Sequence, residues 1–460
     1  MEDSLDNRSW LRLILIISTL GSFLTPFIGS MVNLALPQIA TEFSADAIQI
    51  GWIPTIFLLC SAMFLIPVGK LSDIYGRKKI FLIGITITGI TSFLIPFSPS
   101  FPFLIALRGM QGIGSACIFG TSVAIVSSVF PKEQRGRALG INVTGVYAGL
   151  SLGPVIGGVL THYLGWRSLF FILVPLCIFI IFAVTRWITV DWADDDAPPF
   201  DLAGALLYAG VVFCGIFGIT SITSLEGMVS IILFFLLLPI FLSHEMRIQN
   251  PIFDIRIFKN NRVFTFSNIA ALINYSATFA IGYLLSLYLQ IIKGLDPQSA
   301  GLVLVSQPLM QVLFSPWAGR LSDRIEPRII ASAGMGLNAI GLFILAGVSA
   351  DTMVPIIILA LLFLGFGFAL FSSPNTNAVM GSVQKTEYGV ASGTIATMRQ
   401  FGMVMSMGIS LFLFTVFIGA VTIGTEQAPG FILAQRSAFI IYAVLCIIGV
   451  VISLARGRTG

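Results

Sequence analysis

Long apolar runs separated by short polar segments dominate the chain. A membrane-crossing helix needs about 20 mainly apolar residues, and fourteen runs qualify. Six come first, at 13–36, 48–68, 80–97, 103–129, 138–160 and 168–184. Two stand in the middle, at 202–222 and 228–246, and six follow at 263–289, 300–318, 329–348, 353–380, 390–417 and 431–454. The pattern predicts an all-α polytopic membrane protein. A six-helix bundle (13–186) is followed by two inserted spans (202–246) and a second six-helix bundle (263–454). Polar segments 1–12, 187–201, 247–262 and 455–460 lie outside the spans.

Composition supports the membrane class. Charged residues make up 10% of the chain, against about 25% in a soluble domain. So few charges cannot clothe a soluble globule of this size, whereas a surface in lipid needs no such coat. The placement of the charges sets the orientation. With the N-terminus in the cytoplasm, 20 of the 25 Lys and Arg residues fall on the cytoplasmic side, as the positive-inside rule requires. Only Arg167, Lys293 and Arg436 fall on the outer side, and Arg108 and Arg399 lie within spans. Both termini then come out cytoplasmic, and a multi-pass plasma-membrane protein is expected. The linker run Asp194–Asp196 with Pro198 and Pro199 reads as a solvated loop. The expected partners are the lipid bilayer and a small-molecule substrate, with no nucleic acid and no second copy of the chain. No cofactor or metal is expected. The five cysteines sit in apolar runs without a Cys-x-x-Cys spacing. No G-x-x-x-x-G-K-S/T loop is present, so this chain alone cannot drive transport with ATP.

The sequence repeats itself. Gly69-Lys70-Leu71-Ser72-Asp73 recurs as Gly319-Arg320-Leu321-Ser322-Asp323, each copy following the second span of a six-span set. At one further constant offset, Gly112, Gly114, Gly136, Gly140 and Gly149 pair with Gly365, Gly367, Gly389, Gly393 and Gly402. The chain therefore reads as two homologous halves in pseudo-twofold arrangement. Such halves enclose a substrate site near the bilayer midplane.

Several motifs fall on this frame. Gly69 and Gly76 permit a tight turn, and Asp73 sits among Lys70, Arg77, Lys78 and Lys79. The run G-K-L-S-D-I-Y-G-R-K-K over 69–79 is similar to the signature loop of the major facilitator superfamily. The resemblance implies a cytoplasmic latch of Gly69, Asp73, Gly76 and Arg77, echoed by Gly319 and Asp323. It would hold the halves shut and release during the cycle. Arg108 and Gln111, in R-G-M-Q-G-I-G, resemble the superfamily's fourth-span motif, whose arginine is linked to proton coupling. A charge at that depth is a functional candidate in its own right. Gly145, Gly149, Gly153 and Gly157 recur every fourth residue, laying a smooth groove on one helix face. Pro154 adds a kink. The helix is expected to pack closely against a span of the second half. The run from Gly149 to Gly158, with Gly153, Pro154 and Gly157, resembles the superfamily's exporter motif, and Gly165-Trp166-Arg167 resembles its drug-efflux branch. The chain also carries N-L-A-L-P at 33–37, Ser373-Pro374-Asn375, Ala391-Ser392-Gly393 and Arg399-Gln400-Phe401-Gly402. With fourteen spans, it resembles the EmrB/QacA type of drug/proton antiporter over nearly its whole length.

The interior charges depart from that branch. Its usual first-span acidic residue is replaced by Ile28, and no Asp or Glu falls well inside a predicted span. His162 and His244 stand at span edges. Three readings follow. The substrate is neutral or anionic, with an arginine as counter-ion; or exchanged solute replaces the proton as coupling species; or Asp73 and Asp201, near span ends, carry the proton. The charge balance favours the first. Candidate substrate contacts are Asn33, Arg108, Gln111, Tyr147, Asn274, Tyr275, Gln307, Gln311, Asn375 and Arg399. A largely neutral, aromatic lining suits bulky amphiphiles. The expected function is secondary active export of amphiphilic drugs or small metabolites by alternating access. Uptake or facilitated passage of a neutral or anionic metabolite is the alternative. No nucleophile–base pair or metal cluster lies at depth, which argues against an enzyme.

Overall fold

Asp46 shows how local chemistry starts a helix here. Its carboxylate accepts the N–H groups of Ile48 and Gln49 at 2.9 and 2.8 Å, and Gln49 Oε1 accepts the Asp46 N–H at 3.0 Å, a reciprocal cap. The protein was analysed as a computed structural model, which describes residues 2–193, 199–222, 224–253, 255–384, 388–422 and 424–457. Asp194–Asp196 and Pro198 of the predicted acidic loop lie outside the described residues.

Among the described residues every regular element is helical. The first half comprises α1 (Glu2–Val32), α2 (Leu36–Phe43), α3 (Ala47–Tyr75), α4 (Arg77–Leu94), α5 (Phe101–Val129), α6 (Lys132–Leu164), α7 (Ser168–Phe171) and α8 (Leu173–Trp187). The inserted pair is α9 (Leu202–Thr220) and α10 (Leu225–Arg247). After α11 (Arg256–Asn260), the second half begins with α12 (Arg262–Thr278) and α13 (Ile281–Leu287), which runs into a π-helical turn at Tyr288–Ile292. It continues with α14 (Pro297–Leu304), α15 (Ser306–Ser322), α16 (Pro327–Ala346), α17 (Val354–Gly381), α18 (Tyr388–Phe417) and α19 (Ala428–Ala455).

Among the described residues, 13 helical stretches are long and apolar enough to cross a membrane. They fall on thirteen of the predicted runs. The exception is 300–318, where α14 gives way to α15 at Val305. Pro308 supplies the reason: it has no N–H for the Leu304 carbonyl, so the helical ladder breaks one turn before it.

The two halves use the same neighbours. α1 packs on α6 as α12 packs on α18, and α3 on α5 as α15 on α17. Likewise α4 packs on α5 and α8 as α16 packs on α17 and α19. The repeated glycines sit where these helices approach most closely. A Cβ on Gly112 would collide with the Phe57 carbonyl of α3, and one on Gly365 with the Gln307 carbonyl of α15. Gly149 meets the Phe23 carbonyl of α1 at 2.5 Å in the same sense, and Gly402 the Leu272 carbonyl of α12 at 2.5 Å. Helices in lipid gain by such backbone approach, since lipid gives them no hydrophobic drive to associate.

The halves meet where α6 packs on α14 and α15 and where α3 packs on α18. α9 covers the second seam: Tyr208 donates to the Ala62 carbonyl at 2.9 Å and lies edge-on to Phe401 of α18, with ring centroids 5.9 Å apart. α10 lies outside it and exposes Leu225, Ile232, Phe235 and Leu236, a face suited to lipid.

Three charged residues are buried among those described: Arg108, Glu245 and Arg456. The last two stand at helix ends, and their burial was not foreseen. Arg456 was assigned to the cytoplasmic tail, but it folds inward at the end of α19. There it donates to Ser267 Oγ at 3.1 Å and Asn375 Oδ1 at 3.0 Å. Glu245 stands in the last turn of α10 and is fully buried.

Candidate substrate site between the halves

One cluster of candidate residues crosses the interface near the middle of the bundle. Tyr147 of α6 reaches across to Ser372 of α17, Oη to Oγ 3.0 Å. Beside it, the Arg399 guanidinium lies 5.6 Å from the Tyr275 ring centre, and Phe368 stands edge-on to Tyr275 at 5.2 Å. Arg399 Nη2 donates to Thr376 Oγ1 at 2.6 Å, while its Nε is buried without a hydrogen-bond partner. The segments that frame the cluster (138–164, 262–292, 306–322, 354–381 and 388–417) contain no Asp or Glu, and the one carboxylate on their helices, Glu133, stands in the first turn of α6. The arrangement offers flat aromatic faces, hydroxyls and one cation with no carboxylate beside it. A guanidinium of this kind binds carboxylate or phosphate oxygens and stacks on aromatic rings.

Other candidates are placed elsewhere. Arg108 is enclosed within the first half. It donates from Nε to the Ile53 carbonyl at 3.3 Å and from Nη1 to Gln111 Oε1, and lies 4.6 Å over the Phe57 ring. Gln111 passes the chain on to Ser92 Oγ at 2.8 Å. Asn274 is buried in the second half, where its Oδ1 accepts from Asn338 at 3.0 Å. Asn375 is held by Ser267 and Arg456. Gln311 is buried with Oε1 unpartnered, Gln307 is half-buried beside the α14–α15 break, and the Asn33 carbonyl accepts from Ser286 Oγ at 2.7 Å.

The two ends of the interface differ. At the end carrying the turns α1–α2, α6–α7 and Ile292–Pro297, the halves are in contact. A Cβ on Gly158 would lie 2.5 Å from the Pro297 carbonyl, and one on Gly301 would collide with the Pro154 carbonyl. Ala47 N–H donates to the Val421 carbonyl at 2.9 Å, and His162 Nδ1 stands 3.6 Å from Asp296 Oδ1. The exporter-like run thus splits its contacts. Gly145, Gly149, Gly153 and Gly157 press on α1 of their own half, while Pro154 and Gly158 face α14, so the helix does pack on the second half but by another face. One residue turns about 100° around a helix, so Gly157 and its neighbour Gly158 serve different partners.

At the opposite, basic end, a Cβ on Gly69, Gly136, Gly140 or Gly393 would meet no atom within 4 Å. Asp73 and Arg77 pair with each other at 2.8 Å inside the first half, and Arg77 also reaches Ser128 of α5. Gly76 has φ +103°, and a Cβ there would strike the Asp191 carboxylate, which accepts the Lys78 N–H at 2.9 Å. Asp191 was not among the candidates; it caps α4 and docks the linker on the turn. In the second copy, Ser322 bonds the Gly319 carbonyl at 2.6 Å as Ser72 bonds that of Gly69 at 2.7 Å, and Asp323 is exposed.

Gly165-Trp166-Arg167 forms a clasp at the closed end. Arg167 Nη1 and Trp166 Nε1 donate to Glu42 Oε2 at 2.7 and 2.8 Å, and Arg167 Nε to the Pro96 carbonyl at 2.9 Å. The Arg167 hydrogen bonds hold the Glu42 carboxyl below its ordinary value of 4.5, against the opposing effect of burial. A depressed carboxyl stabilises the fold above its unfolded pKa and loses that contribution as pH falls through the folded one. Both side chains are more than a third exposed, so the pair is worth only ~0.5 kcal/mol. Thermal unfolding of Glu42→Gln should show a slightly lower midpoint at pH 7. Its difference from wild type should shrink as pH falls through the lowered Glu42 pKa, and a difference constant with pH would refute the clasp.

Comparisons with known proteins bear on this geometry. A riboflavin transporter, RibZ, of Clostridioides difficile is 30% identical, the match covering 97% of this chain and 97% of that protein. Multidrug resistance protein Stp of Mycobacterium tuberculosis is 28% identical over 88% of this chain and 75% of its own length. Among solved structures, a bacterial homolog of the human lysosomal transporter Spinster, in an inward-facing and unoccupied conformation, superposes with a TM-score of 0.71. It does so at 15% identity over 98% of this chain and 97% of that one. A family model matches residues 18–267 and again 267–459, one match for each half, and by it the chain belongs to the Major Facilitator Superfamily.

Proposed function

We propose that this superfamily transporter is a fourteen-span exporter of the EmrB/QacA type that carries bulky neutral or anionic aromatic solutes. The observation that carries the reading is the cross-half cluster of Tyr147, Tyr275 and Arg399, framed by helical segments without a carboxylate. An organic cation would find no counter-charge there. A flat neutral or anionic ring system finds aromatic faces, hydroxyls and a guanidinium. Asn33, Gln307 and Gln311 extend the polar lining, and Arg108, Gln111, Asn274 and Asn375 hold the walls. In this reading α14 and α15 together make the fourteenth span, the halves are related by a pseudo-twofold axis, and the basic end with both termini is cytoplasmic. The conformation is then inward-open in the plasma membrane. The turn at Gly69, Asp73, Gly76 and Arg77, with Gly319 and Asp323, closes that end in the alternate state, and one chain suffices. Proton coupling, implied by the branch, would fall to groups at the span ends.

Passage of a neutral or anionic metabolite, by uptake or facilitation, is the second reading; the riboflavin transporter that matches 97% of this chain favours a metabolite as substrate. Reconstituted vesicles with an imposed pH gradient separate the possibilities, with riboflavin and a lipophilic cationic dye supplied on either side. Riboflavin-class flux with an immobile dye is expected. Dye flux without riboflavin flux would defeat the charge argument, and flux indifferent to the gradient would remove proton antiport. The side from which solute is carried against its gradient decides direction.

A further inference from the structure

The inserted pair α9 and α10 brings together three side chains outside the cross-half cluster. Asp201 caps α9, its Oδ1 accepting the Gly204 N–H at 2.9 Å. Antiparallel packing sets the last turn of α10 beside it. His244 Nε2 stands 2.9 Å from Asp201 Oδ2 and 3.1 Å from Oδ1. Glu245 is fully buried; its Oε2 accepts the Phe253 N–H at 2.8 Å, and its Oε1 has no partner. One donor atom from each of the three residues lies within 4.8 Å of the other two. The two carboxylates converge on a space kept open by Gly204, where a Cβ would collide with Asp201 Oδ2 and lie 2.7 Å from Glu245 Oε1.

We propose that Asp201, His244 and Glu245 form a binding site for a first-row divalent metal ion of the Zn²⁺ class at the base of the inserted hairpin. Two largely buried carboxylates this close repel each other unless positive charge intervenes. Besides His244, the positive charge that reaches Glu245 is Lys70 of α3, which is itself exposed and hydrogen-bonds neither carboxylate. An unpartnered carboxylate oxygen in a dry site costs free energy that a cation recovers. One imidazole nitrogen with two carboxylate oxygens suits Zn²⁺ or a neighbouring ion. Mg²⁺ and Ca²⁺ prefer all-oxygen sets. To bind, His244 gives up its Nε2 proton and the donors close to about 3.4 Å separations, as tetrahedral bonds of about 2.0–2.1 Å require. Entry is available through an open groove that His244 lines with Ser243, Arg247 and Ile248. The bound ion would tie the start of α9 to the end of α10 and, through Glu245, to the chain at Phe253. This stiffens the hairpin that covers the α3–α18 seam.

The test is Zn²⁺ titration of chelator-stripped full-length protein in detergent, by calorimetry and by metal analysis after dialysis. One Zn²⁺ per chain is expected, with Mg²⁺ unable to compete. Glu245→Gln and His244→Ala should each bind at least tenfold more weakly, while Glu226→Gln at the far end of α10 binds as wild type. A second readout needs no variant: Zn²⁺ should raise the thermal midpoint of the wild type, and chelator should reverse it. Wild-type binding no tighter than that of the two site variants, or no Zn²⁺-dependent midpoint shift, overturns the proposal and leaves a shared proton as what holds the carboxylates together.

Discussion

Gly158→Ala combined with Gly301→Ala should nearly abolish transport while leaving the fold of each half intact. Both glycines stand at the closed seam between α6 and α14, and each added methyl would meet backbone of the other half: Pro297 for Gly158, Pro154 for Gly301. A carbonyl cannot rotate aside as a flexible side chain can, so the helices must separate. Overpacking of this kind costs about 1–3 kcal/mol per site. That cost falls on the closed form alone, and 1–3 kcal/mol corresponds to a 5–150-fold change in population. The cycle then stalls with this end open. Gly336→Ala is the control, because a Cβ there has open space around it and α16 touches neither seam between the halves. Spin labels at Tyr163 on α6 and Leu302 on α14, both exposed, report the separation directly. The double variant should lengthen this distance and lose flux together. Unchanged flux with an unchanged distance would show that the close approach does not gate the passage. Gly149→Ala behaves differently in this account, since Gly149 packs inside the first half on Phe23 and its substitution should lower protein yield.

The contrast between Gly157 and Gly158 also marks how far the sequence could be read. Spans were legible because a segment in lipid must be apolar along its whole length. The halves were legible because two copies of one packing scheme need glycine at the same crossings: Gly112 and Gly365, Gly149 and Gly402. The superfamily followed from the loop at 69–79. The contact of α6 with the second half was legible, but spacing could not say which face makes it: the four-residue row packs on α1, and Pro154 and Gly158 face α14. Nor could it say which polar groups are already occupied. Asn274 and Asn375 read as binding residues by type, yet Asn338 and Arg456 use them. Arg456 itself read as tail because it follows the last apolar run, and only its burial against Ser267 reveals otherwise. The Asp201–His244–Glu245 cluster was hidden for a related reason. Asp201 stands 43 residues before His244 and its neighbour Glu245, and antiparallel pairing of α9 with α10 brings them together. Pro308 was visible all along, and its break in the predicted span at 300–318 follows from its missing N–H.

Arg399→Met should lower transport of an anionic aromatic solute by about 10–150-fold, the equivalent of losing a hydrogen-bonded charge contact worth about 1.5–3 kcal/mol. The loss should appear as weaker apparent affinity with little change in thermal midpoint. In this conformation Arg399 makes a single hydrogen bond, to Thr376, and leaves Nε free, so little of the fold depends on it. Arg399→Lys should recover only part of the flux, since an ammonium cannot lie flat beside the Tyr275 ring or present a planar fork to a carboxylate. A neutral solute of the same shape should be much less affected, because it keeps the contacts with Tyr147, Tyr275 and Phe368. Arg108→Met separates the roles of the two arginines within the spans. Arg108 ties α5 to the Ile53 carbonyl of α3 and, through Gln111, to Ser92 of α4, so its loss should reduce stability before affinity. If Arg108→Met weakened substrate affinity at unchanged midpoint while Arg399→Met transported normally, the assignment of the counter-ion would be reversed. The site would then lie inside the first half, not between the halves.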